Sequence, residues 1–472
     1  VKILKIAAAL AGLALVVALA LRVWPGGGRP APGSPSASAG YQVPVFFETL
    51  PNGLRVVVSE DHSAPVVLVE VMYNIGFRLE PKGRTGFAHL FEHMMFQGSA
   101  QVGKFEHVQV VNANGGVLNG STRFDYTNYF QVMPSNALEL ALWLEADRMR
   151  SLEVTPENLK NQQNVVSEEV RVNVLNQPYG AFEWLGLPQR ANTNWYNAHN
   201  FYGDLTDLEA ATIDDVRSFF DTYYAPNNAV LVVTGDATPA DVMALARKYF
   251  GDLPSRTLPP EPDVSEPPQT AEKTFTEDDK LARTPAVAVG YHLPPRMTRE
   301  FFALSLLDPL LVGDESARWF QKLVKETQLA TSLVGGFNLL GNNFDMKGPM
   351  LYTVRVDYKP DRTAREVLAA MDEVLASIQT SGVTADDLSR ARTAFESAFF
   401  EEMEGGVVPG FGKANLLAAF TLFDNDPNRI NTILAELERV TPADVRAAAA
   451  RWLVPANRTS IDRRPVPAGG AR

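Results

Sequence analysis

Two stretches of this chain, 229 residues apart, read alike. They are "TIDDVRSFFDTYYAPNNAV", from Thr212, and "TPADVRAAAARWLVPANRT", from Thr441. Thr212, Asp215, Val216, Arg217, Pro226 and Asn228 recur as Thr441, Asp444, Val445, Arg446, Pro455 and Asn457, and Tyr223 falls on Trp452. In each copy Thr opens a helical run, an aromatic lies near its end, and Pro breaks into a strand-like run. Roughly midway lies "LPSRTLPPEPDVSEPPQTAEK", residues 253–273, which is proline-rich and acidic and reads as an extended, semi-rigid linker. One constant offset around a central linker predicts a duplicated unit. The mature chain then divides into residues 40–252 and 274–465, two halves of about 210 and 200 residues.

Within the first half strands and helices alternate. "LRVVVSED" and "VVLVEVMYNIG" are Val-rich and read as strands, as do the two runs of "VLNGSTRFDYTNYFQVM". "TGFAHLFEHMMF" reads as a helix capped by Thr85, and "NALELALWLEADRMRS" as an amphipathic helix. "TPENLKNQQNVVSEEVRVNVL" reads as a helix opened by Thr155 and Pro156. Hairpin-linked strands with intervening helices predict an α+β fold of layered sheets and helices.

The first 39 residues stand apart. Lys2 and Lys5 precede a sixteen-residue apolar run, Ile6 to Leu21, followed by a Gly/Pro/Ser/Ala-rich stretch with two small-x-small sites, Ala18-Leu19-Ala20 and Ala37-Ser38-Ala39. This is the shape of an export signal, and it predicts a periplasmic chain, or a membrane-anchored one facing the periplasm or exterior if the signal is retained. A net charge of −12 speaks against nucleic acid as a partner. There is no cysteine, so any metal must be held by His and carboxylates.

Only six histidines occur, and two of them, His89 and His93, are four apart, with Glu92 before the second. On a helix, positions i and i+4 share a face, so both imidazoles can meet one ion. Imidazole suits Zn²⁺, which lowers the pKa of a bound water, and a neighbouring carboxylate can take the proton. His-x-x-Glu-His is the inverzincin signature. Chance would produce it about 0.005 times in a chain of this composition. A plain buried helix would gain nothing from setting Glu92 beside two neutral histidines.

From these residues onward the chain resembles the pitrilysin/insulysin/mitochondrial processing peptidase family of zinc metallopeptidases, over roughly residues 42 to 462. The resemblance implies one Zn²⁺ per chain, Glu92 as general base, and a third ligand about 76 residues after the second histidine. That position is Glu169, in "NVVSEEVRVNVLNQPYG". Glu168 competes. Three of the four same-face neighbours of Glu169 are apolar (Val165, Val166, Val172) against two for Glu168, which favours Glu169. A second acidic residue of the family is replaced here by Gln162, which can support the site only by hydrogen bonding. "GGVLNGSTRFDYTNYFQVMP" resembles the family's substrate-pairing edge, with Asn119 beside the metal and Gly120, Ser121 and Thr122 continuing it.

The second half carries no such motif and resembles the family's inactive domain, the two forming a clamshell. That half commonly supplies an Arg/Tyr pair. "LYTVRVDY" offers Tyr352, Arg355 and Tyr358, without a secure match. His107 reads as a helix-surface or supporting residue. "GGVVPGFGKANLL", residues 405–417, lacks phosphate-loop spacing and reads as a flexible break between helices. The expected activity is zinc-dependent endopeptidase action on short or unfolded polypeptides. Left open are a homodimer, a catalytic subunit that needs a zinc-free homologue as partner, and a non-catalytic structural subunit.

Overall fold

The computed structural model describes residues 41–404, 408 and 410–466. The leader expected over residues 1–39 lies outside the described residues, as do 405–407 and 409 of the glycine-rich stretch. The described residues from Gln42 onward form one compact unit.

Two sheets organise it. The first contains β1 (Phe46–Thr49), β2 (Arg55–Glu60), β3 (Val66–Tyr73), β4 (Val117–Thr122), β5 (Thr127–Pro134) and β6 (Ala229–Gly235), in the order β1-β2-β6-β3-β5-β4. The second contains β7 (Lys273–Asp279), β8 (Ala286–His292), β9 (Ala330–Gly336), β10 (Leu351–Tyr358) and β11 (Arg458–Pro465), in the order β7-β11-β8-β10-β9. Without β1 the two orders superpose strand for strand. Each has one parallel pair, β2·β6 and β7·β11, and is otherwise antiparallel. The central strands β3, β6 and β8 are buried along nearly their whole length, which is why they read as continuous Val-rich runs rather than alternating ones.

Six helices matter below: α1 (Phe87–Met94), α2 (Leu138–Arg150), α3 (Pro156–Val170), α4 (Ile213–Tyr223), α5 (Phe411–Asp424) and α6 (Pro442–Trp452). The pair α4 and α6 are the stretches repeated in the sequence. Thr212 with Asp215, and Thr441 with Asp444, each form a reciprocal capping box. Beyond each helix the repeated Asn donates back to the aromatic's carbonyl, Asn228 to Tyr223 at 2.8 Å and Asn457 to Trp452 at 2.7 Å.

The halves share a core. Helix α5, from the second half, lies against β3 and β6 of the first sheet. It is buried from Gly412 to Thr421, as suits a helix that is apolar nearly all round. Leu416, Leu417 and Phe420 join one cluster with Val57, Leu68, Val230 and Val232. Burying each such side chain is worth about 1.5–3 kcal/mol. Arg55 Nη1 donates to the Thr421 carbonyl at 3.0 Å, and Asn128 Nδ2 to Asn415 Oδ1 at 3.2 Å.

Three local expectations can be compared with the structure, and one of them needs correcting. Residues 254–270, read as an extended, semi-rigid linker, run without regular structure and are pinned to the body of the protein. Glu266 accepts from Thr193, Asn194 and Asn197, and Lys347 Nζ meets Glu261 at 2.7 Å. Helix α2 is not amphipathic: it buries Glu145, Asp147 and Arg148 along with its leucines, and Arg148 Nε pairs with Glu145 at 2.8 Å. The glycine-rich break does separate two helices, which end at Glu404 and begin at Phe411.

Candidate metal centre

Helix α1 starts on a device that local sequence does not reveal. Thr85 is not its cap. Gly86 holds the N-cap position with φ 81°, a conformation glycine adopts freely. The orphan first-turn amides go instead to the buried carboxylate of Glu80, which accepts from Gly86 N at 2.8 Å and Ala88 N at 2.7 Å. Burial pushes the Glu80 carboxyl up, opposed by His199 and these amides. Thr85 Oγ1 donates to Asp207 Oδ2 at 2.7 Å and ties the helix start to the segment that precedes α4.

Helix α3 begins as expected, with Thr155 accepting from the Asn158 amide and Pro156 in the first turn. It brings Glu169 to the two histidines. His89 Nε2 and His93 Nε2 lie 3.3 Å apart. Glu169 Oε1 is 3.5 Å from the first, and Oε2 is 3.3 Å from the second. Among the described residues these three form the one His/Cys/Asp/Glu group whose donor atoms all lie within 4.8 Å. Glu168 points away, exposed, with Arg171 at 3.5 Å. Of the apolar neighbours that favoured Glu169 in the sequence, Val166 is buried but Val172 is 46% exposed, so it is the geometry of α3 and not an apolar surround that sets Glu169 beside the histidines.

The electrostatics are those of a tight cluster. Burial would lower the His89 pKa, but Glu169, with Glu92 and Glu80 behind it, raises it to about 9. Burial likewise opposes ionisation of Glu169, yet the two histidines hold its carboxyl far below the usual carboxylate range. His89 Nδ1 is buried without a hydrogen-bond partner.

A zinc fit can be tested on these distances. Donors at the corners of a tetrahedron around zinc, with bonds of about 2.0–2.1 Å, lie about 3.3–3.4 Å from one another. The two imidazole nitrogens, 3.3 Å apart, have this spacing; Glu169 sets one oxygen 3.5 Å from the first and its other oxygen 3.3 Å from the second, and two imidazoles with one carboxylate suit zinc.

Glu92 faces strand β4. Its Oε2 accepts from Thr122 Oγ1 at 2.8 Å, and a Cβ on Gly120 would meet Glu92 Cγ at 3.3 Å. Strand β4 is the last strand of its sheet, so one side is unpaired. Asn119 Oδ1 accepts from the Gly120 amide at 2.9 Å, and Ser121 Oγ donates to Asn128 Oδ1 at 2.6 Å. Gln162 is buried on α3, seven residues before Glu169 and so on the same helix face.

Other candidates resolve differently. His107 is 5% exposed, not a surface residue, and sits near Arg148 and Gln131; burial and Arg148 push its pKa down. The three residues of β10 are engaged within the second half and its contact with the first. Tyr352 is buried, and Tyr358 donates to Asp462 at 2.6 Å. Arg355 lies 4.2 Å from the centre of the Tyr179 ring and 2.9 Å from Asp357. Sequence reading missed Glu80 and Tyr202, whose phenol donates to Glu169 Oε1 at 2.9 Å. Neither belongs to a local motif.

Comparison with known proteins covers both halves. The model described as "Insulinase (Peptidase family M16)" matches residues 55–186, and that described as "Peptidase M16 inactive domain" matches residues 210–395. "Zinc protease PqqE" of Helicobacter pylori is 28% identical over 364 residues, 75% of this chain and 79% of that protein. An uncharacterised zinc protease of Mycobacterium leprae is 26% identical over 430 residues, 90% of this chain and 92% of the relative. The solved structure of a protease from Helicobacter pylori superposes with a TM-score of 0.82 at 24% identity, covering 90% of this chain and all of that one. With an M16 model on each half and the same two-sheet fold, this chain belongs to peptidase family M16.

Proposed function

We propose that the protein is a zinc-dependent endopeptidase in which His89, His93 and Glu169 hold one Zn²⁺ and Glu92 is the general base. The observation that carries this reading is the convergence of His89, His93 and Glu169, one donor atom of each lying within 4.8 Å of the others, with the two imidazole nitrogens at the 3.3 Å spacing of a tetrahedral zinc site. Bound zinc would supply Lewis acidity and a water of lowered pKa. Glu92, aimed by Thr122, takes the proton of the attacking water and returns it to the departing amine. An extended peptide adds to the free side of β4 near Asn119, Gly120 and Ser121, which favours unfolded or short substrates over folded ones. Gln162 supports the ligand helix. The inactive second half, residues 274–465, serves as scaffold, and the apolar run Ile6 to Leu21 supports action outside the cytoplasm. No described helix is long and apolar enough to cross a membrane.

A second reading is favoured by one observation: Tyr352, Arg355 and Tyr358 are all engaged in internal contacts. An Arg/Tyr pair would then come from a zinc-free homologous partner. Zinc content and cleavage of an unfolded peptide, measured on wild type and Glu92→Gln, test both. On the first reading wild type holds one zinc and cuts, while the variant keeps zinc and loses about 10²–10⁴-fold in kcat. Zinc without cleavage until a homologue is added supports the second. Absence of zinc overturns both.

A further inference from the structure

The Glu169 carboxylate straddles the two histidines. Oε1 faces His89 and Oε2 faces His93, so nothing in the triad itself decides which oxygen a metal would take, or whether it takes both. Ligation through both would add a donor and crowd the open corner that a hydrolytic zinc site needs. One neighbour breaks this symmetry. The Tyr202 hydroxyl donates to Oε1 at 2.9 Å.

Tyr202 is held firmly. Its ring stands edge-on to His89, centroids 5.2 Å apart at 81°, and packs on Trp184 at 5.9 Å. Its amide donates to Asn200 Oδ1 at 3.2 Å, and Asn200 Nδ2 in turn donates to the Gly203 carbonyl at 3.1 Å. Gly203, at φ +92°, packs so closely on Gly86 that a Cβ there would lie 2.4 Å from the Gly86 Cα. Asp204 N donates to Thr85 Oγ1 at 3.0 Å. The loop carrying Tyr202 is thus docked on the start of α1, the histidine helix, while its hydroxyl reaches the ligand on α3.

We propose that Tyr202 is a positioning residue that occupies Oε1 of Glu169 and so presents Oε2 alone to the metal, which keeps the fourth coordination position for water. This rests on the zinc reading above. A phenol suits the task because it donates a single directional hydrogen bond and cannot itself compete as a charged ligand at neutral pH. Hydrogen-bond partners of this kind fix ligand orientation, and their loss typically costs 10–100-fold in metal affinity.

The test is Tyr202→Phe in the full chain, which removes one oxygen and keeps the ring against His89 and Trp184. Zinc affinity is read by competition with a chromogenic chelator, and coordination by the visible absorption of the cobalt-substituted protein, which is stronger for four donors than for five. The melting temperature of the metal-free protein serves as the control for folding. The expected result is a 10–100-fold weaker zinc affinity, weaker cobalt bands, a lower kcat with KM little changed, and a metal-free melting temperature close to wild type. If affinity and cobalt bands match wild type, the positioning role is overturned, whatever happens to the melting temperature. If wild type itself binds no zinc, the metal reading fails first, and that failure is visible without the variant.

Discussion

Glu168 and Glu169 are adjacent, chemically identical and differently used, and one rotation about the helix axis separates them. Glu169 meets two imidazoles, whereas Glu168 meets water and Arg171. Glu169→Gln is expected to lose zinc at micromolar metal, while Glu168→Gln stays within a few-fold of wild type in metal content and activity; equal loss in both would remove Glu169 from the site. A fully buried carboxylate elsewhere bears on stability instead. Glu70 is fully buried, and burial pushes its pKa from the usual 4.5 up to about 8, with Asn128 Nδ2 donating to Oε1 at 2.7 Å and Oε2 unpartnered. The folded state therefore holds a proton that the unfolded chain releases above pH 4.5. Its stability contribution is fully present below that pH and is lost as pH rises through about 8. Glu70→Gln mimics the protonated form, so its melting temperature should exceed that of wild type at pH 8 by an amount reflecting a few kcal/mol, on the order of 1.4 per pKa unit, and converge near pH 5. A gap that does not change with pH would refute this.

Elements divide by how far their determinants lie along the chain. The helices α4 and α6 were legible because their capping boxes close within three residues, and Thr155-Pro156 announced α3 in the same way. The His-x-x-Glu-His spacing likewise put three site residues on one helix. The cap of α1 was not legible, because Glu80 is displaced in sequence and Thr85, the conventional candidate, is taken by Asp207. Tyr202 was invisible for the same reason: it acts on a residue 33 positions away through a loop with no periodicity. The buried charges of α2 defeated an amphipathic reading, since Glu145 and Arg148 satisfy each other inside. The contact of Gly203 with Gly86 gives an element-scale prediction. Gly203→Ala must displace the start of α1, at a cost of about 1–3 kcal/mol for strained backbone, and should weaken zinc binding although no ligand is changed. Thermal melting and metal titration would check it; an unchanged protein would show that the loop yields freely.

The whole molecule joins two copies of one topology through a shared core. The repeat was visible as a constant offset, but the crossing of α5 into the first half was not, because its apolar surface does not say which sheet it covers. A single proteolytic cut between 254 and 260, in the stretch without regular structure, should leave the halves associated and zinc bound, since Leu416, Leu417 and Phe420 stay seated against the first sheet. Size-exclusion chromatography of the nicked protein would read this, and separation of the halves at micromolar concentration would show that the linker, not the core, holds them. The same helix sets a timetable. The ribosome has delivered every proposed zinc ligand by Glu169, yet α5 ends about 250 residues later, a further 13–50 s or so of synthesis at about 5–20 residues per second. Until then the first sheet lacks the helix that packs on β3 and β6, so a nascent chain carries all three proposed ligands while one face of that sheet is uncovered. Arrival of this helix, rather than of the last proposed ligand, is then the event that closes the core the two halves share.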